Sequence, residues 1–354
     1  MSTDSAKLRC AVIGLGMGKG HAKHYAENPD AELVGIVDLD ENRLKQYESF
    51  VSGPSACFTD YKEMLKQAKP ELVSVALPNF LHAPVAIDCL NAGCHVLGEK
   101  PMAMYVSEAK QIRDAADKAG KRFGLNLSYR FSPPARALKD MAAGGLLGDV
   151  YHAYTRWTRL DGFPGFGGWF GQKGMSGGGP LIDLGVHRLD LALWLMGSPQ
   201  PVTVSGCAHH KIGVPRAQKA GKKFDVEDFA TGFVRLKGGA SLIFEISWGG
   251  FQEQKEMMRT VVMGDQGALI QRNFDGGYGF MAEIIKEEAG HVTKAELTLP
   301  RGDIRNPYNE MVHCVRNDMP YLASAEDGIR IQQILDGLYE SAEKGHEIEV
   351  DLDG

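Results

Sequence analysis

The sequence has no long hydrophobic run. No stretch approaches the ~20 consecutive apolar residues that a helix needs to cross a bilayer. Residues 1–7 form a short polar stretch with no apolar core of the kind found in secretory signals. We therefore expect a cytoplasmic protein with no membrane partner.

Cysteine pairs and basic runs are also missing. The six cysteines form no C-x-x-C pair and fall mostly within apolar segments, which favours buried reduced thiols over a disulfide framework or a zinc site. His21, His24, His209 and His210 lack converging carboxylates or thiolates, so we expect no metal. With a formal charge of -6 and a densest basic patch of only 219–223, no nucleic-acid partner is expected.

The composition that is present is that of a globular protein. At 354 residues, with 44% hydrophobic and 24% charged residues, the chain is long enough for two domains. Over residues 8–129, short runs rich in Val, Ile and Leu alternate with segments of helical period, which indicates parallel βαβ units. After residue 130, longer alternating strands follow one another without helices, which indicates an antiparallel or mixed sheet.

These patterns predict an α/β fold with two domains. Residues 1–128 should form a doubly wound parallel sheet of the Rossmann type, and residues 129–354 a second α+β domain. Helices are predicted over 21–28, 41–48, 61–68, 84–92, 108–119, 133–143, 180–196, 307–317 and 325–344. Ser107 is the expected N-cap of the fifth helix and Gly120 its stop. In the second domain, strands are predicted over 150–159, 202–208, 229–236, 241–248 and 259–262.

Polar or glycine-rich groups follow the five strands predicted in the first half. Since the carboxyl ends of parallel strands meet at one edge of a sheet, where ligands bind, these groups should lie together. The pattern predicts a nucleotide site with chemistry beside it. The groups are Gly14, Asp38, Pro78 with Asn79, Lys100, and Tyr129 with Arg130.

The first of these ends is a glycine turn between a strand and a helix. Such a turn lets backbone N–H groups approach a pyrophosphate at the helix N-terminus. The strict G-x-G-x-x-G spacing fails because Lys19 occupies its third position, and Gly18 and Gly20 suggest a shifted point of close packing. A purely structural tight turn is the alternative. The predicted cofactor contacts are Gly14, Gly16, Met17 and Gly18.

Asp38 lies 24 positions after Gly14, at the end of the second predicted strand. A carboxylate there can accept hydrogen bonds from the ribose hydroxyls of a dinucleotide and would repel a 2′-phosphate. NAD is therefore favoured over NADP. Two alternatives stay open: Asp38 could cap the next helix, and Arg43 could serve a phosphate.

Two further groups carry candidate chemistry. Lys100, at a strand end, could donate to a substrate oxygen through its ammonium group. After the glycines 177–179, Asp183 and His187 are spaced i, i+4 on a predicted helix, and Asp190 continues that face. A carboxylate beside an imidazole fixes its tautomer and suits a base that takes a hydroxyl proton as hydride leaves carbon. An ordinary pair on a solvated helix is the alternative.

The sequence resembles the Gfo/Idh/MocA family of sugar and cyclitol dehydrogenases over nearly the whole chain. The segments that carry the resemblance are the glycine turn and residues 77–82, 93–101, 126–133 and 177–190. The resemblance implies that Lys100, Asp183 and His187 form the catalytic group. It implies that Asn79 and His82 approach the nicotinamide, that Glu99 contacts a cofactor ribose, and that the Lys100–Pro101 peptide is cis. It further implies an open, mainly antiparallel C-terminal sheet that supplies the substrate wall and an oligomer interface. The cofactor contacts it adds are Pro78, Asn79, His82, Glu99 and Lys100.

Substrate contacts are expected from residue types that bind polyol hydroxyls or stack on a sugar face, although each alone could be structural. The candidates are Tyr129, Arg130, Arg156, Arg159, Asp161, Trp169 and Lys173.

The sequence thus predicts an NAD-dependent dehydrogenase that acts on a secondary alcohol of a sugar, glycoside or cyclitol. We expect Lys100 and His187 to converge on one carbinol carbon, and we expect a homodimer or homotetramer. Two other functions stay open. One is oxidation of a glycoside at C3 with tightly held NAD, which leads to cleavage of the glycosidic bond. The other is a non-catalytic NAD-sensing regulator.

Overall fold

A computed structural model describes residues 6–51, 53–299 and 304–350. The chain divides into two compact units. The first contains the residues up to Leu127 together with Arg305–Ile329, and the second contains Ser128–Ile304 and the residues from Arg330 onward. Every helix among the described residues is too short or too polar to span a bilayer. Residues 1–5 of the polar N-terminal stretch lie outside the described residues.

The first unit is built on a six-stranded parallel sheet of order β3-β2-β1-β4-β5-β6. This is the doubly wound order of a Rossmann domain, so the predicted fold class is confirmed. Its strands are β1 (Leu8–Ile13), β2 (Ala31–Val37), β3 (Cys57–Phe58), β4 (Leu72–Val75), β5 (His95–Gly98) and β6 (Phe123–Leu125). Its helices are α1 (Leu15–Glu27), α2 (Glu41–Tyr47), α3 (Tyr61–Ala68), α4 (His82–Asn91), α5 (Val106–Ala119) and α10 (Pro307–Arg316).

Helix ends in this unit follow the local sequence, with two departures from expectation. Gly120 ends α5 in the left-handed region, at a φ of 61°, as predicted. The N-cap of α5 is Tyr105, so the prediction of Ser107 as the cap is wrong: Ser107 lies inside the helix. The first helix begins at Leu15, directly after the glycine turn, which is earlier than the predicted start at residue 21.

The second unit is built on a nine-stranded sheet of order β14-β13-β12-β11-β7-β10-β9-β8-β15. Neighbouring strands are antiparallel except β7 and β10, which run parallel. The strands are β7 (Val150–Arg159), β8 (Pro201–His209), β9 (Phe229–Leu236), β10 (Ser241–Ser247), β11 (Glu256–Gly264), β12 (Gly267–Asn273), β13 (Phe280–Glu288), β14 (His291–Glu296) and β15 (Ile348–Glu349). The helices are α6 (Pro133–Ala143), α7 (Lys173–Ser176), α8 (Val186–Leu195), α9 (Gly213–Lys219) and α11 (Ala325–Lys344).

One face of this sheet is covered near its centre by α8, which packs against β7 and β11. Along β7 the side chains alternate, so that Ala153, Thr155 and Trp157 are buried. The large, mainly antiparallel sheet confirms the fold class predicted for this half.

The division of the chain is more complicated than the sequence suggested. The expected boundary near residue 129 lies next to the observed break after Leu127. The expected second domain, 129–354, is interrupted, because α10 and the first residues of α11 group with the first unit. Within that unit, Leu125 donates its N–H to the carbonyl oxygen of Ala323 at 3.0 Å, which ties this late segment to β6.

Candidate active site

The glycine turn joins β1 to α1. Gly14 has a φ of +88°, and a β carbon on it would overlap the carbonyl oxygen of Ala76, so only glycine fits. A β carbon on Gly18 would lie 2.8 Å from Val12 Cγ1, whereas one on Gly20 would meet nothing within 4 Å. Gly18 is therefore the point where α1 packs closely on the sheet, and Gly20 is not.

Asp38 lies at the end of β2 and is buried. Its Oδ2 accepts from the backbone N–H of Leu15 at 2.8 Å, and its Oδ1 accepts from that of Asp40 at 2.9 Å. The carboxylate therefore braces the glycine turn. The cap of α2 is Asp40, so the alternative that Asp38 caps this helix is wrong. Arg43 lies 3.4 Å from Asp38 Oδ2 and 3.6 Å from Asp40 Oδ2, so its charge is engaged by two carboxylates.

The segment after β4 carries Pro78, Asn79 and His82. Asn79 begins a short 3₁₀ turn and is buried. Both ring nitrogens of His82 lie 2.7 Å from backbone carbonyl oxygens, Nδ1 from that of Pro101 and Nε2 from that of Leu77. Burial lowers the pKa of His82, although both carbonyl contacts act against this. The ring thus joins the loops after β4 and β5, and neither nitrogen is left for a ligand.

Glu99 and Lys100 follow β5, and the Lys100–Pro101 peptide is cis, as the resemblance implied. The Glu99 carboxylate accepts from His21 Nε2 at 2.9 Å and from Asn126 Nδ2 at 2.6 Å. Burial acts to raise the pKa of Glu99, but the hydrogen bonds from His21 and Asn126 and the charge of Lys100 hold it below its usual value. The Glu99 carboxylate therefore binds both His21 and Asn126, and these contacts fix the backbone just before Lys100.

In the second unit, the glycines 177–179 lead into a π-helical turn over Leu181–Gly185, after which α8 begins. Asp183 lies in that turn and His187 in the first turn of α8. The π-turn carries one more residue per turn than an α-helix, so Asp183 and His187 belong to two different helical geometries, four residues apart. Asp183 Oδ2 accepts from Trp248 Nε1 at 2.9 Å. Such turns are rare and occur frequently at functional sites.

His187 lies among aromatic rings of its own unit. Its ring centroid is 5.1 Å from that of Tyr129 and 6.0 Å from that of Trp157. The next residue, Arg188, is fully buried and places its guanidinium carbon 4.4 Å from the Tyr129 ring centroid. Burial lowers the pKa of Arg188, against the effect of Tyr129 and Glu256. His187 therefore lies beside the rings of Tyr129 and Trp157, which we call the aromatic wall. The buried guanidinium of Arg188 packs against the same two rings.

Two predicted substrate contacts are used elsewhere in the structure. Arg130 is buried, and its Nε and Nη2 lie 2.9 and 2.6 Å from Asp190 Oδ1, so it forms an internal ion pair. The Asp190 carboxylate, expected on the same face as Asp183 and His187, is thus engaged by Arg130. Arg156 pairs with Glu245 at 3.1 Å. Because side chains alternate along β7, it lies on the sheet face opposite to Trp157, whose ring contacts His187.

Arg159, by contrast, lies on the same face of β7 as Trp157. Its Nε donates to Glu256 Oε1 at 2.8 Å, and the same oxygen accepts from Trp157 Nε1 at 2.5 Å. Tyr278 completes the cluster by donating to that oxygen at 3.1 Å. The structure thus places Arg159 in a polar cluster at the edge of the aromatic wall.

The other three substrate candidates lie in the loop after β7 and at the start of α7. Asp161 is exposed and pairs with Arg216 at 3.0 Å. The Trp169 ring centroid lies 4.1 Å from that of Phe170. Lys173 is exposed, with its ammonium 5.9 Å from the Tyr339 ring centroid.

Several residues that hold the predicted site residues within each unit were missed from the sequence. His21 and Asn126 hold Glu99, Trp248 holds Asp183, and Glu256 and Tyr278 hold Arg159. Only Trp248 gave a local signal, since it closes an alternating strand. Among the described residues, no group of three or more His, Cys, Asp or Glu side chains could hold a metal ion.

Both units match known protein families. Residues 8–127 match an oxidoreductase family described by its NAD-binding Rossmann fold, and residues 139–351 match the C-terminal alpha/beta domain of the same family. The molecule is therefore an oxidoreductase whose first unit is a nicotinamide-dinucleotide-binding domain. The chain belongs to the Gfo/Idh/MocA family, which confirms the resemblance seen in its motifs.

Two similar curated proteins are named as dehydrogenases of a glucoside and of a sugar phosphate. The chain is 32% identical to the D-glucoside 3-dehydrogenase of Escherichia coli, covering 98% of each protein. It is 24% identical to the glucose-6-phosphate 3-dehydrogenase of Bacillus subtilis, covering 94% of this chain and 95% of that protein. Among solved structures, GenD2 from gentamicin A biosynthesis, in complex with NAD, superposes with a TM-score of 0.80 at 25% identity, covering 99% of this chain and 98% of GenD2.

Proposed function

We propose that this protein is an NAD-dependent dehydrogenase that oxidises a secondary alcohol of a sugar, glycoside or cyclitol to the ketone, or catalyses the reverse reaction. The observation that carries the proposal is the 32% identity to a D-glucoside 3-dehydrogenase along 98% of the chain. The local structure supports it, because Lys100 follows the end of β5, Asp183 lies in the π-helical turn and His187 lies in the first turn of α8.

The residues of the first unit fit a nicotinamide dinucleotide. Gly14 can adopt its positive φ only without a side chain, and Gly16 and Met17 are exposed at the start of α1. A pyrophosphate would accept hydrogen bonds from this first turn. Asp38 keeps acceptor capacity beyond its two backbone bonds, since each carboxylate oxygen can accept more than one. We propose NAD rather than NADP, because Asp38 would repel a 2′-phosphate and Arg43 is engaged by Asp38 and Asp40.

We assign the proton chemistry to three side chains. When bound, a nicotinamide ring supplies the acceptor for the hydride that leaves the substrate carbon. His187 takes the hydroxyl proton in the direction of oxidation, so that the carbinol becomes a ketone with no change in its other bonds. Asp183, fixed by Trp248, orients the imidazole, and Lys100 stabilises the charge that develops on the substrate oxygen.

The substrate contacts of this proposal are fewer than the sequence suggested. We keep Tyr129, Arg159, Asp161, Trp169 and Lys173 as candidates. Arg130 and Arg156 become structural residues, because their guanidinium groups are held by Asp190 and Glu245.

A more specific function is oxidation at C3 of a glucoside, which would weaken the glycosidic bond toward later elimination. The observation that favours it is that two relatives are named as 3-dehydrogenases. The regulator alternative is less favoured, because Lys100, Asp183 and His187 are all present.

The experiment that tests the proposal is a turnover assay with a panel of sugars, glycosides and cyclitols. NADH absorbance is followed with added NAD, with added NADP, and with neither. We expect turnover with NAD and a 3-keto product from a glucoside. In the arm with neither dinucleotide, release of the aglycone is followed by chromatography, and repeated glycoside cleavage there would point to tightly held NAD that is reduced and reoxidised within each cycle. Tight NAD binding without turnover of any sugar would contradict the dehydrogenase and support the regulator.

The protein's assembly is part of the proposal, since the resemblance implies a homodimer or homotetramer. Light scattering after size-exclusion chromatography measures the mass in solution and separates these from a monomer.

A further inference from the structure

A buried carboxylate outside the proposed catalytic group holds the segment that carries Asp183 and His187. Glu227 lies just before β9 and is 2% exposed. Its Oε2 accepts from the backbone N–H of Gly179 at 2.8 Å, and its Oε1 accepts from that of Leu181 at 3.1 Å. Tyr339, in α11, donates its hydroxyl to the same Oε1 at 3.0 Å.

These contacts act on the start of the π-helical turn. The N–H group of the first residue of a helical segment has no partner within it, so a carboxylate that accepts from Leu181, and from Gly179 two residues before it, fixes both the position and the direction of the turn. The turn begins at Leu181, and Asp183 lies in it. His187 follows in the first turn of α8.

The glycine run allows this close approach. A β carbon on Gly178 would overlap the Tyr339 hydroxyl, and one on Gly179 would overlap the Glu227 carbonyl oxygen. The glycines are therefore required for contact with Glu227 and Tyr339 within this unit. This gives the sequence motif of consecutive glycines a local structural reason that does not depend on a ligand.

Two carboxylates close to Glu227 in the chain also accept hydrogen bonds from backbone N–H groups, but in other segments. Asp225 accepts from the backbone N–H of Lys173 at 2.6 Å. Asp228 accepts from those of Ile212 and Gly213, at 2.6 and 2.8 Å, at the start of α9. Neither segment contains a residue assigned to proton chemistry, so Asp228 provides a matched control for Glu227.

We propose that Glu227 and Tyr339 are positioning residues that set the placement of Asp183 and His187 through the backbone of Gly179 and Leu181. The proposal rests on the catalytic roles assigned above. Burial raises the pKa of Glu227, against the two backbone N–H groups and Tyr339. The fold thus retains a carboxyl group whose burial opposes its charge, and the backbone bonds it makes are a reason for keeping it.

The test compares three variants. Glu227→Gln keeps the size of the side chain but presents an amide in place of one acceptor oxygen. We expect its kcat to fall about 10- to 100-fold, the cost of a displacement of about 1 Å at reacting groups, with the KM for NAD unchanged. Asp228→Asn should lose similar thermal stability with little change in kcat. Tyr339→Phe removes one of the three bonds, so it should fold and lose less of its kcat than Glu227→Gln.

A second readout separates this proposal from the proposed function. The ring ¹⁵N chemical shifts of His187, measured by NMR, should move in Glu227→Gln and stay in place in Asp228→Asn, whether or not the wild type oxidises sugars. If the wild type is active and neither the His187 shifts nor kcat change in Glu227→Gln, the positioning role is overturned. Equal loss of kcat in Glu227→Gln and Asp228→Asn would also overturn it, since that result shows a general folding effect.

Discussion

Trp248 donates its indole N–H to Asp183 Oδ2 at 2.9 Å. Trp248 is fully buried, and it lies directly after β10, so the carboxylate in the π-turn is tied to the central part of the sheet. Hydrogen bonds to a charged group contribute about 1.5–3 kcal/mol, more than those between neutral groups. The position of Asp183 thus depends on a residue 65 positions away.

Replacing Trp248 by Phe should free Asp183 while keeping an aromatic ring in the core. We expect kcat to fall about tenfold, because a misplaced orienting carboxylate weakens the base beside it. Steady-state kinetics measure this. Trp194→Phe is the control, since Trp194 is a buried indole whose ring packs against Arg130. An equal loss in both variants would show that packing, and not the bond to Asp183, is responsible.

Gly14→Ala should disrupt the turn between β1 and α1. A side chain at a φ of +88° is strained, and its β carbon would overlap the Ala76 carbonyl oxygen. We expect weaker NAD binding, measured by titration of protein fluorescence, together with a lower melting temperature. Gly20→Ala, in the same helix and with open space around it, should keep NAD affinity and gain roughly 0.5–1 kcal/mol from its higher helix propensity.

The Arg130–Asp190 pair should contribute to stability only as an intact pair. Both side chains are buried, so Asp190→Ala leaves an uncompensated guanidinium and should cost about 3–5 kcal/mol in the free energy of unfolding. Urea denaturation measures the loss. The exposed pair Glu340 and Lys344 is the control, and Glu340→Gln should cost less than about 0.5 kcal/mol. A comparably small effect of Asp190→Ala would contradict the structural role of Arg130.

Acid should destabilise the protein through the imidazole of His95, in the first unit. Burial, with the charges of Lys121 and Arg122, lowers the pKa of His95 from 6.5 to about 4. Its Nδ1 accepts from the Arg122 backbone N–H at 3.0 Å, which requires an unprotonated nitrogen. Between these pKa values the unfolded chain binds a proton that the folded chain does not. The contribution of neutral His95 to the free energy of unfolding is therefore complete above pH 6.5 and is lost as the pH falls toward about 4.

Urea midpoints measured at a series of pH values check this slope. His95→Asn keeps an acceptor for Arg122 but cannot titrate, so its midpoint should fall less steeply with acid. His291→Asn, at an exposed position on β14, serves as the control. An unchanged slope in His95→Asn would contradict the contribution of His95.

Several elements whose burial leaves a local pattern were predicted from the sequence, although β12 and β13, which also carry buried apolar residues, were missed. β4 and β5 are covered on both faces and read as short apolar runs, and β7 alternates along its length. β14 has charged and polar side chains and is mostly exposed, so no alternation revealed it. The edge strand β3 has only two residues, too few to carry a period.

The site was predictable where its chemistry is local in the chain. Lys100 and the glycine turn follow strands directly, so strand ends revealed them. The Arg130 pair joins residues 60 positions apart, and Glu227 reaches Gly179 over 48 positions, which no single-sequence pattern shows. The position of Arg156 on the opposite face from Arg159 could have been predicted, since an odd separation on one strand changes the face.

The most direct test of the account is the rate of NADH formation in a single turnover, measured with a glucoside in Lys100→Met, in His187→Asn and in the double variant. Each single variant should be at least ~100-fold slower than the wild type, as expected for loss of a proton-transferring group at His187 and of a charge-stabilising group at Lys100, and His187→Asn should keep its NAD affinity. The double variant should be little slower than the worse single one, because residues that act as a unit are not additive. Wild-type rates in both single variants would contradict the assignment of the reaction to these two side chains.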